Sequence, residues 1–221
     1  MAITVLVLLG AYLLGSVPSG YLLMRAVRGI DIRQQGSHNV GAINVFRTGG
    51  AWLGAATLLA DTAKGTVAVL AAWGLGQLTL FIAAAGLAVV LGHAFSFWLF
   101  LRERRFSEGK AVATSMGVLI GLAISGALSW WVPAGLLVFW ICGLLAPKLL
   151  TGKWWMISPI TMTAAVGITV AVLLDQPRPS YICLAIGMTA LILVRHKHNI
   201  ERLLAGQEPR IGQSSRRTEI G

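Results

Sequence analysis

Seven apolar stretches, most of them long enough to cross the roughly 30 Å of hydrocarbon in a bilayer, divide this chain. They run Ala2 to Met24, Trp52 to Trp73, Leu78 to Phe100, Ala111 to Ser129, Trp130 to Pro147, Ile157 to Leu174 and Ser180 to Val194. At membrane depth the backbone must satisfy its own hydrogen bonds, so each run predicts a helix, although the last is short for a full crossing. The expected fold is all-α: a polytopic membrane helical bundle of about seven transmembrane helices. It forms one integral-membrane domain over 1–221, with 195–221 as a cytoplasmic C-terminal segment.

Between the runs lie three polar blocks, GSHNVGAINVFR at Gly36 to Arg47, RRFSEGKAVAT at Arg104 to Thr114, and RHKHNIERLLAGQEPRIG at Arg195 to Gly212. Short basic loops stay cytoplasmic, and the basic residues alternate accordingly. Arg25, Arg28, Arg33 and Arg47 follow the first run; Arg102, Arg104, Arg105 and Lys110 the third; Lys148 and Lys153 the fifth; Arg195, Lys197, Arg202, Arg210, Arg216 and Arg217 the seventh. Those are sixteen of the 18 Lys and Arg residues. The pattern puts the N-terminus outside, the C-terminus inside and all three blocks on one cytoplasmic face.

Composition agrees: 56% apolar, 12% charged and a mean hydropathy of +0.76 exclude an ordinary soluble domain. A net charge of +10 is explained by topology and anionic lipid headgroups, so nucleic acid is not an expected partner. No Lys or Arg precedes Arg25, so the first run lacks the basic start of a signal peptide and is expected to stay as a helix. Cys142 and Cys183 fall within runs without ligand spacing and are expected to be packing residues.

The blocks carry the chemistry of an oxyanion site. In the first, Gly36, Gly41, Asn39 and Asn44 permit positive φ, so that successive N–H groups form an anion nest. Ser37 adds a hydroxyl and Arg47 a planar fork for two phosphate oxygens. If the segment is helical, Asn44 and Arg47 share a face. In the second, Gly109-Lys110 precedes a helix N-terminus, where free N–H groups, the dipole and an ammonium attract an anion. The upstream spacing of a phosphate-binding loop is missing, so nucleotide hydrolysis is not expected. In the third, His196 and Asn199 stand three apart on what is expected to be a continuing helix, beside Arg195. His196 and His198 lack a clustered third ligand, so no metal is expected.

Inside the runs, Asp61 and Lys64 share a helical face and are expected to pair or to line a polar cavity. His93 reads as either a base or a satisfied packing histidine.

Together with Gly15-Ser16-Val17-Pro18-Ser19-Gly20, Asp61-Thr62-Ala63-Lys64-Gly65 and Gly92-His93-Ala94-Phe95, these blocks resemble, over nearly the whole chain, the bacterial membrane glycerol-3-phosphate acyltransferases of the PlsY type. The resemblance implies transfer of an acyl group from acyl phosphate to the 1-hydroxyl of sn-glycerol 3-phosphate. The products are lysophosphatidate and phosphate, and the step is the first acylation in phospholipid synthesis. It implies that Arg47, Lys110, His196 and Asn199 hold the glycerol phosphate, and that Ser37, Gly41, Asn44 and Gly109 line the acyl phosphate end, with Asn39 also binding substrate. Membrane lipids are the expected surroundings; no cofactor and no carrier protein are implied, and the site faces the cytoplasm from the inner membrane.

A mixed anhydride arrives activated, so the protein mainly has to position two anions and stabilise charge. No dedicated base stands out: five positions after His38, His93, His196 and His198 come Ile43, Trp98, Glu201 and Leu203, not Asp. A substrate phosphate oxygen, with a second pKa near about 6, is the expected proton acceptor. The chain departs from the family pattern at Glu108 and Ala111, where Gly is usual, at Ile43, where Thr is usual, and at His38, often Gly. Glu108 beside a phosphate is unfavourable unless it pairs with Arg104 or Arg105, and a weakened paralogue is one alternative. A small-anion or lipid-phosphate transporter is another, but no inverted repeat is visible.

Overall fold

The computed structural model describes residues 1–104, 109–152, 156–175 and 178–208, and the elements among them are all helices. In chain order they are α1 (Ala2–Ser16), α2 (Ser19–Arg28), a 3₁₀ turn (Ile32–Gln34), α3 (Ala42–Gly49), α4 (Ala51–Gly74), α5 (Thr79–Ala94), α6 (Phe97–Glu103), α7 (Val112–Ile124), α8 (Trp131–Thr151), α9 (Ile157–Asp175), α10 (Pro179–Arg195) and α11 (Lys197–Leu204).

Among the described residues four stretches are long and apolar enough to cross a membrane: α4, the α5–α6 stretch Thr79–Arg102, α8 and α9. Two bent pairs, α1–α2 at 41° and α10–α11 at 56°, bring the number to 6. The expected run Ala111 to Ser129 departs from expectation. Its helix α7 has 13 residues, about 20 Å at the usual rise, and ends in a turn at Ser125–Gly126. Gly126, at φ +73, leaves the helical conformation there.

Both bends have local causes. Pro18 has no N–H and forces Val17 out of the helical region, to ψ 116, which separates α1 from α2. At the other bend the His196 Nδ1–H donates to the Ile192 carbonyl at 2.7 Å, where the backbone N–H of an unbroken helix would donate. The backbone N–H turns to Leu193 at 3.0 Å instead. The helix expected to continue through His196 and Asn199 therefore ends at Arg195 and restarts in a new direction.

Glycines let the helices approach closely, as they do where lipid supplies no hydrophobic drive between helices. An ideal Cβ on Gly15 would lie 2.0 Å from the Val89 carbonyl oxygen, and one on Gly92 would lie 2.1 Å from that of Tyr12, so α1 and α5 meet backbone to backbone. Gly65 and Gly117 do the same for α4 and α7, at 2.2 Å from the Thr114 oxygen and 1.9 Å from that of Thr62. Around these contacts lies a core that includes Val69, Val89, Val118, Leu119 and Met188. Cys142 and Cys183 do not join it: both are free thiols exposed on the outer face of the bundle, contrary to the packing role expected of them.

Candidate active site

The loop from the 3₁₀ turn to α3 is built around one buried side chain. Asn44 accepts from the Ser37 backbone N–H at 2.9 Å, and its Nδ2 donates to the carbonyls of Ile32, Gln35 and Asn39 at 3.3, 3.0 and 2.7 Å. Helix α3 forms as expected, but Asn44 turns inward to clamp the loop while Arg47 is exposed. Asn39 closes a second turn by accepting from the Gly41 N–H at 2.7 Å.

Positive φ falls on a different set of residues from those expected. Gly36 and His38 hold positive φ, at 58° and 59°, whereas Gly41, at φ −77°, caps α3 in an extended conformation. Histidine tolerates the left-handed region better than most residues, and His38 Nδ1 donates to the Arg33 carbonyl at 2.8 Å. Ser37 sits exposed between the two positive-φ residues. Ile43, exposed in the first turn of α3, supplies no hydroxyl there.

The second and third blocks meet directly. Arg195 Nε donates to the Gly109 carbonyl at 3.1 Å while its guanidinium lies 5.3 Å from the Phe95 ring centre. Gly109 is seated so closely on α5 that a Cβ would come within 2.3 Å of the His93 carbonyl oxygen. Ala111, just beyond Lys110, is left-handed at φ 62° and caps α7. Glu108, Ser107 and Arg105 lie outside the described residues, as do Lys153 and 209–221, so the expected pairing of Glu108 falls there too.

In the third block a carboxylate unforeseen from the sequence organises the site. Glu208 is buried; its Oε1 accepts from Asn199 Nδ2 at 2.9 Å and from the Ser158 hydroxyl, and its Oε2 from Arg202 Nε at 2.9 Å. Asn199 also donates to the Ser158 oxygen at 2.8 Å, which ties α11 to α9. Burial pushes the Glu208 carboxyl up, but the hydrogen bonds from Ser158 and Asn199 and the Arg202 charge outweigh it and hold it below the ordinary range. Arg202 and Glu208 lie within the third block but receive no site role from the sequence, and Ser158 lies in an apolar run outside every block.

Charge links all three blocks. Although Arg47 keeps contact with solvent, partial burial lowers its guanidinium, Glu208 raises it and Arg202 lowers it, so α3 lies within electrostatic reach of α11 and its tail. His196, beyond the end of α10, is pushed down to about 4 by burial and then by the Lys110 ammonium; its bond to Ile192 and the Glu208 charge oppose this. The same carboxylate thus acts on Arg47 and on His196, and Lys110 acts on His196. Through Glu208 and Lys110 these charge couplings connect Arg47 on α3, the Gly109–Lys110 segment, and His196 and Asn199 at the α10–α11 bend, with Ser37, Asn39, Gly41 and Asn44 on the loop that carries α3. That arrangement suits a phosphate group and offers a neutral imidazole, carboxamide and hydroxyl groups beside it. Among the described residues no cluster of His, Cys, Asp or Glu has the make-up of a metal site.

Inside the bundle, the expected Asp61–Lys64 pair forms at 2.8 Å. His93 joins it from α5, with Nδ1 3.2 Å from Lys64 Nζ. Lys64 also donates to the carbonyls of Val17 at 2.9 Å and Gly15 at 3.3 Å, at the α1–α2 break.

Residues 5–206 match the family model described as glycerol-3-phosphate acyltransferase. Proteins named glycerol-3-phosphate acyltransferase are similar along almost their whole length: that of Geotalea daltonii is 39% identical over 94% of this chain and 97% of its own. That of Geobacter metallireducens is 42% identical over 95% of this chain and 98% of its own. Among solved structures, the glycerol 3-phosphate form of PlsY, an integral membrane glycerol 3-phosphate acyltransferase, superimposes with a TM-score of 0.79. It is 31% identical, covering 95% of this chain and 96% of that one. The lysophosphatidic acid form gives a TM-score of 0.77 at 30% identity, over 95% of each chain.

Proposed function

The chain belongs to the glycerol-3-phosphate acyltransferase family, and from that premise we propose that acyl phosphate is its donor and that the three polar blocks form its active site. It is a multi-pass membrane enzyme of phospholipid synthesis that acylates glycerol 3-phosphate. In the proposed reaction the 1-hydroxyl oxygen attacks the acyl carbonyl carbon. The bond from that carbon to the phosphate oxygen breaks, and the hydroxyl proton passes to a phosphate oxygen, leaving lysophosphatidate and inorganic phosphate.

Arg47, Lys110, His196 and Asn199 hold the phosphate of glycerol 3-phosphate, while Ser37, Asn39, Gly41 and Gly109 face the acyl phosphate. Asn44 contributes by fixing their loop. The observation that carries this assignment is the convergence on the Gly109–Lys110 turn, bound by Arg195 and close enough for Lys110 to act on His196. Proton transfer to the substrate is favoured by the state of His196. His196 spends its Nδ1–H on Ile192, and its remaining nitrogen, depressed to about 4, is a weaker base near neutral pH than a phosphate near about 6.

In the membrane, α1–α2, α4, α5–α6, α7, α8, α9 and α10 serve as seven crossings, α7 completed by the turns at its ends. The Lys and Arg distribution then puts the N-terminus outside, and the C-terminus and the site at the cytoplasmic face of the inner membrane. Purified protein supplied with acyl phosphate and glycerol 3-phosphate is expected to release phosphate and form lysophosphatidate in equal amounts. Lys110→Ala, with the same melting temperature, is expected to lose most of that activity; an unchanged rate would remove Lys110 from the site.

A further inference from the structure

Four acceptors surround Lys64 Nζ deep inside the bundle: the Val17 and Gly15 carbonyls, Asp61 Oδ1 and His93 Nδ1, at 2.9, 3.3, 2.8 and 3.2 Å. An ammonium has three protons and no lone pair, so Lys64 can donate to at most three of these groups at once and accept from none, and a protonated Nδ1 facing it would set donor against donor. His93 Nδ1 is then the acceptor and carries no proton, which places the proton of the neutral imidazole on Nε2. The other buried histidine beside the site is the opposite case, since the His196 Nδ1–H donates to a carbonyl.

The far side of the His93 ring supports the second polar block. An added Cβ on Gly109 would meet the His93 carbonyl oxygen at 2.3 Å and the ring Nε2 and Cδ2 at 3.0 Å each. Gly109 is also held by Arg195, which donates to its carbonyl. The segment that presents Lys110 is therefore held by both Arg195 and His93, and the His93 ring in turn contacts Lys64.

Resting on the acyltransferase reading above, we propose that Lys64 and His93 are positioning residues: Lys64, paired with Asp61, locks His93 as the Nε2–H tautomer and thereby seats the Gly109–Lys110 turn for the substrate phosphate. The network also reaches two carbonyls at the α1–α2 break, those of Gly15 and Val17, the latter also accepting from the Ser19 N–H at 3.0 Å, so it joins that break to the site. It assigns His93 no part in proton abstraction. Binding provided by Lys110 acts on the phosphate before and during acyl transfer alike, so disturbing the network raises KM and leaves kcat.

The tautomer is read directly by nitrogen-15 NMR of histidine-labelled protein in nanodiscs, with the His93 signals assigned by their loss in His93→Gln. A protonated Nε2 and an unprotonated Nδ1 on His93 are expected; a protonated Nδ1, or an imidazolium, overturns the lock. Steady-state kinetics test the consequence. His93→Asn keeps an acceptor near Lys64 and is expected to hold KM for glycerol 3-phosphate within about threefold of wild type, whereas His93→Leu raises it about tenfold, with kcat within about threefold in both. Equal KM values for the two variants overturn the positioning role, and a loss of kcat of about 10²-fold with KM unchanged makes His93 a base instead. If either variant fails to fold, the tautomer measurement on wild type still decides. Absence of lysophosphatidate from well-folded wild type given acyl phosphate would instead refute the donor, a separate outcome that leaves the NMR test standing.

Discussion

Arg195 and Gly109, 86 residues apart, are joined by a 3.1 Å bond from the guanidinium Nε to the glycine carbonyl. A charged donor on a backbone carbonyl contributes about 1.5–3 kcal/mol when partly shielded from water. The same guanidinium lies over the Phe95 ring, 5.3 Å from its centre. Arg195→Lys keeps the charge but loses the planar donor and its place over the ring. It is expected to raise KM for glycerol 3-phosphate about tenfold, with little change in melting temperature. An unchanged KM would mean that the turn holds its place without this bond.

Much of this arrangement was legible in the sequence because the relevant signals are local. Long apolar runs can only be helices at membrane depth, and Asp61 and Lys64, three apart in a helix, were bound to be neighbours. Other features depend on contacts between distant segments and left no local mark. Ser158 lies in an apolar helix 50 residues before the Glu208 it bonds, and Glu208 lies in a basic tail where a carboxylate looks like a solvated charge. The bend at His196 was missed because it arises from a side chain competing with its own backbone N–H for the Ile192 carbonyl. Asn44 is expected to face substrate, and its burial and its bonds to the loop depend on Ile32, Gln35, Ser37 and Asn39, which no local pattern pairs with it.

The departures from the family pattern at His38 and Ala111 fall on left-handed backbone, at φ 59° and 62°. For Ala111 that conformation costs about 1–2 kcal/mol. Ala111→Gly relieves it but gives up a buried methyl worth about 0.8 kcal/mol and adds freedom to the unfolded chain. The terms nearly cancel, so this variant is expected to melt within about 3 °C of wild type. Ala123→Gly, inside α7 with ordinary helical backbone, has nothing to relieve and is expected to lose about 1–2 kcal/mol. Equal losses in detergent melts would show that Ala111 is not strained.

Close helix contact leaves no room for a single methyl at Gly117, whose Cβ would lie 1.9 Å from the Thr62 carbonyl oxygen. Backbone cannot rotate away as a side chain can, so α4 and α7 must separate. Gly117→Ala is expected to cost more than about 2 kcal/mol and to lower the yield of monodisperse protein. Gly10→Ala, with nothing within 4 Å of its Cβ, is the control and should behave as wild type. Matching melting curves for the two would contradict the close approach.

His196 carries a pH dependence whose sign follows from its burial. Its folded pKa, about 4, lies below the ordinary 6.5 because burial and then Lys110 disfavour the cation. Between those values the unfolded chain binds a proton that the folded protein refuses. The contribution of His196 is therefore complete above pH 6.5 and is lost as pH falls toward 4, by at most about 1.4 kcal/mol per unit. The drop in melting temperature from pH 7.5 to pH 5, measured without substrate, is expected to be smaller in His196→Gln than in wild type. Parallel curves would show that His196 is not held neutral.

Glu208 tests how the third block is held together. Its carboxylate takes hydrogen bonds from Ser158, Asn199 and Arg202, and all of these partners are donors. Glutamine keeps the shape but presents an NH₂ to one of them, setting donor against donor and leaving Arg202 without its counter-charge. Removing one partner of a buried pair costs about 3–5 kcal/mol; because Arg202 is partly exposed, a loss near 3 kcal/mol is expected for Glu208→Gln. Ser158→Ala removes a single donor and should cost about 1 kcal/mol. Because Asn199 bonds to both Ser158 and Glu208, the two changes act on one network, and the double variant should lose less than the sum by more than about 0.5 kcal/mol. Strict additivity in reversible melts would mean that Ser158 and Glu208 support the site independently, and that no shared network orients Asn199.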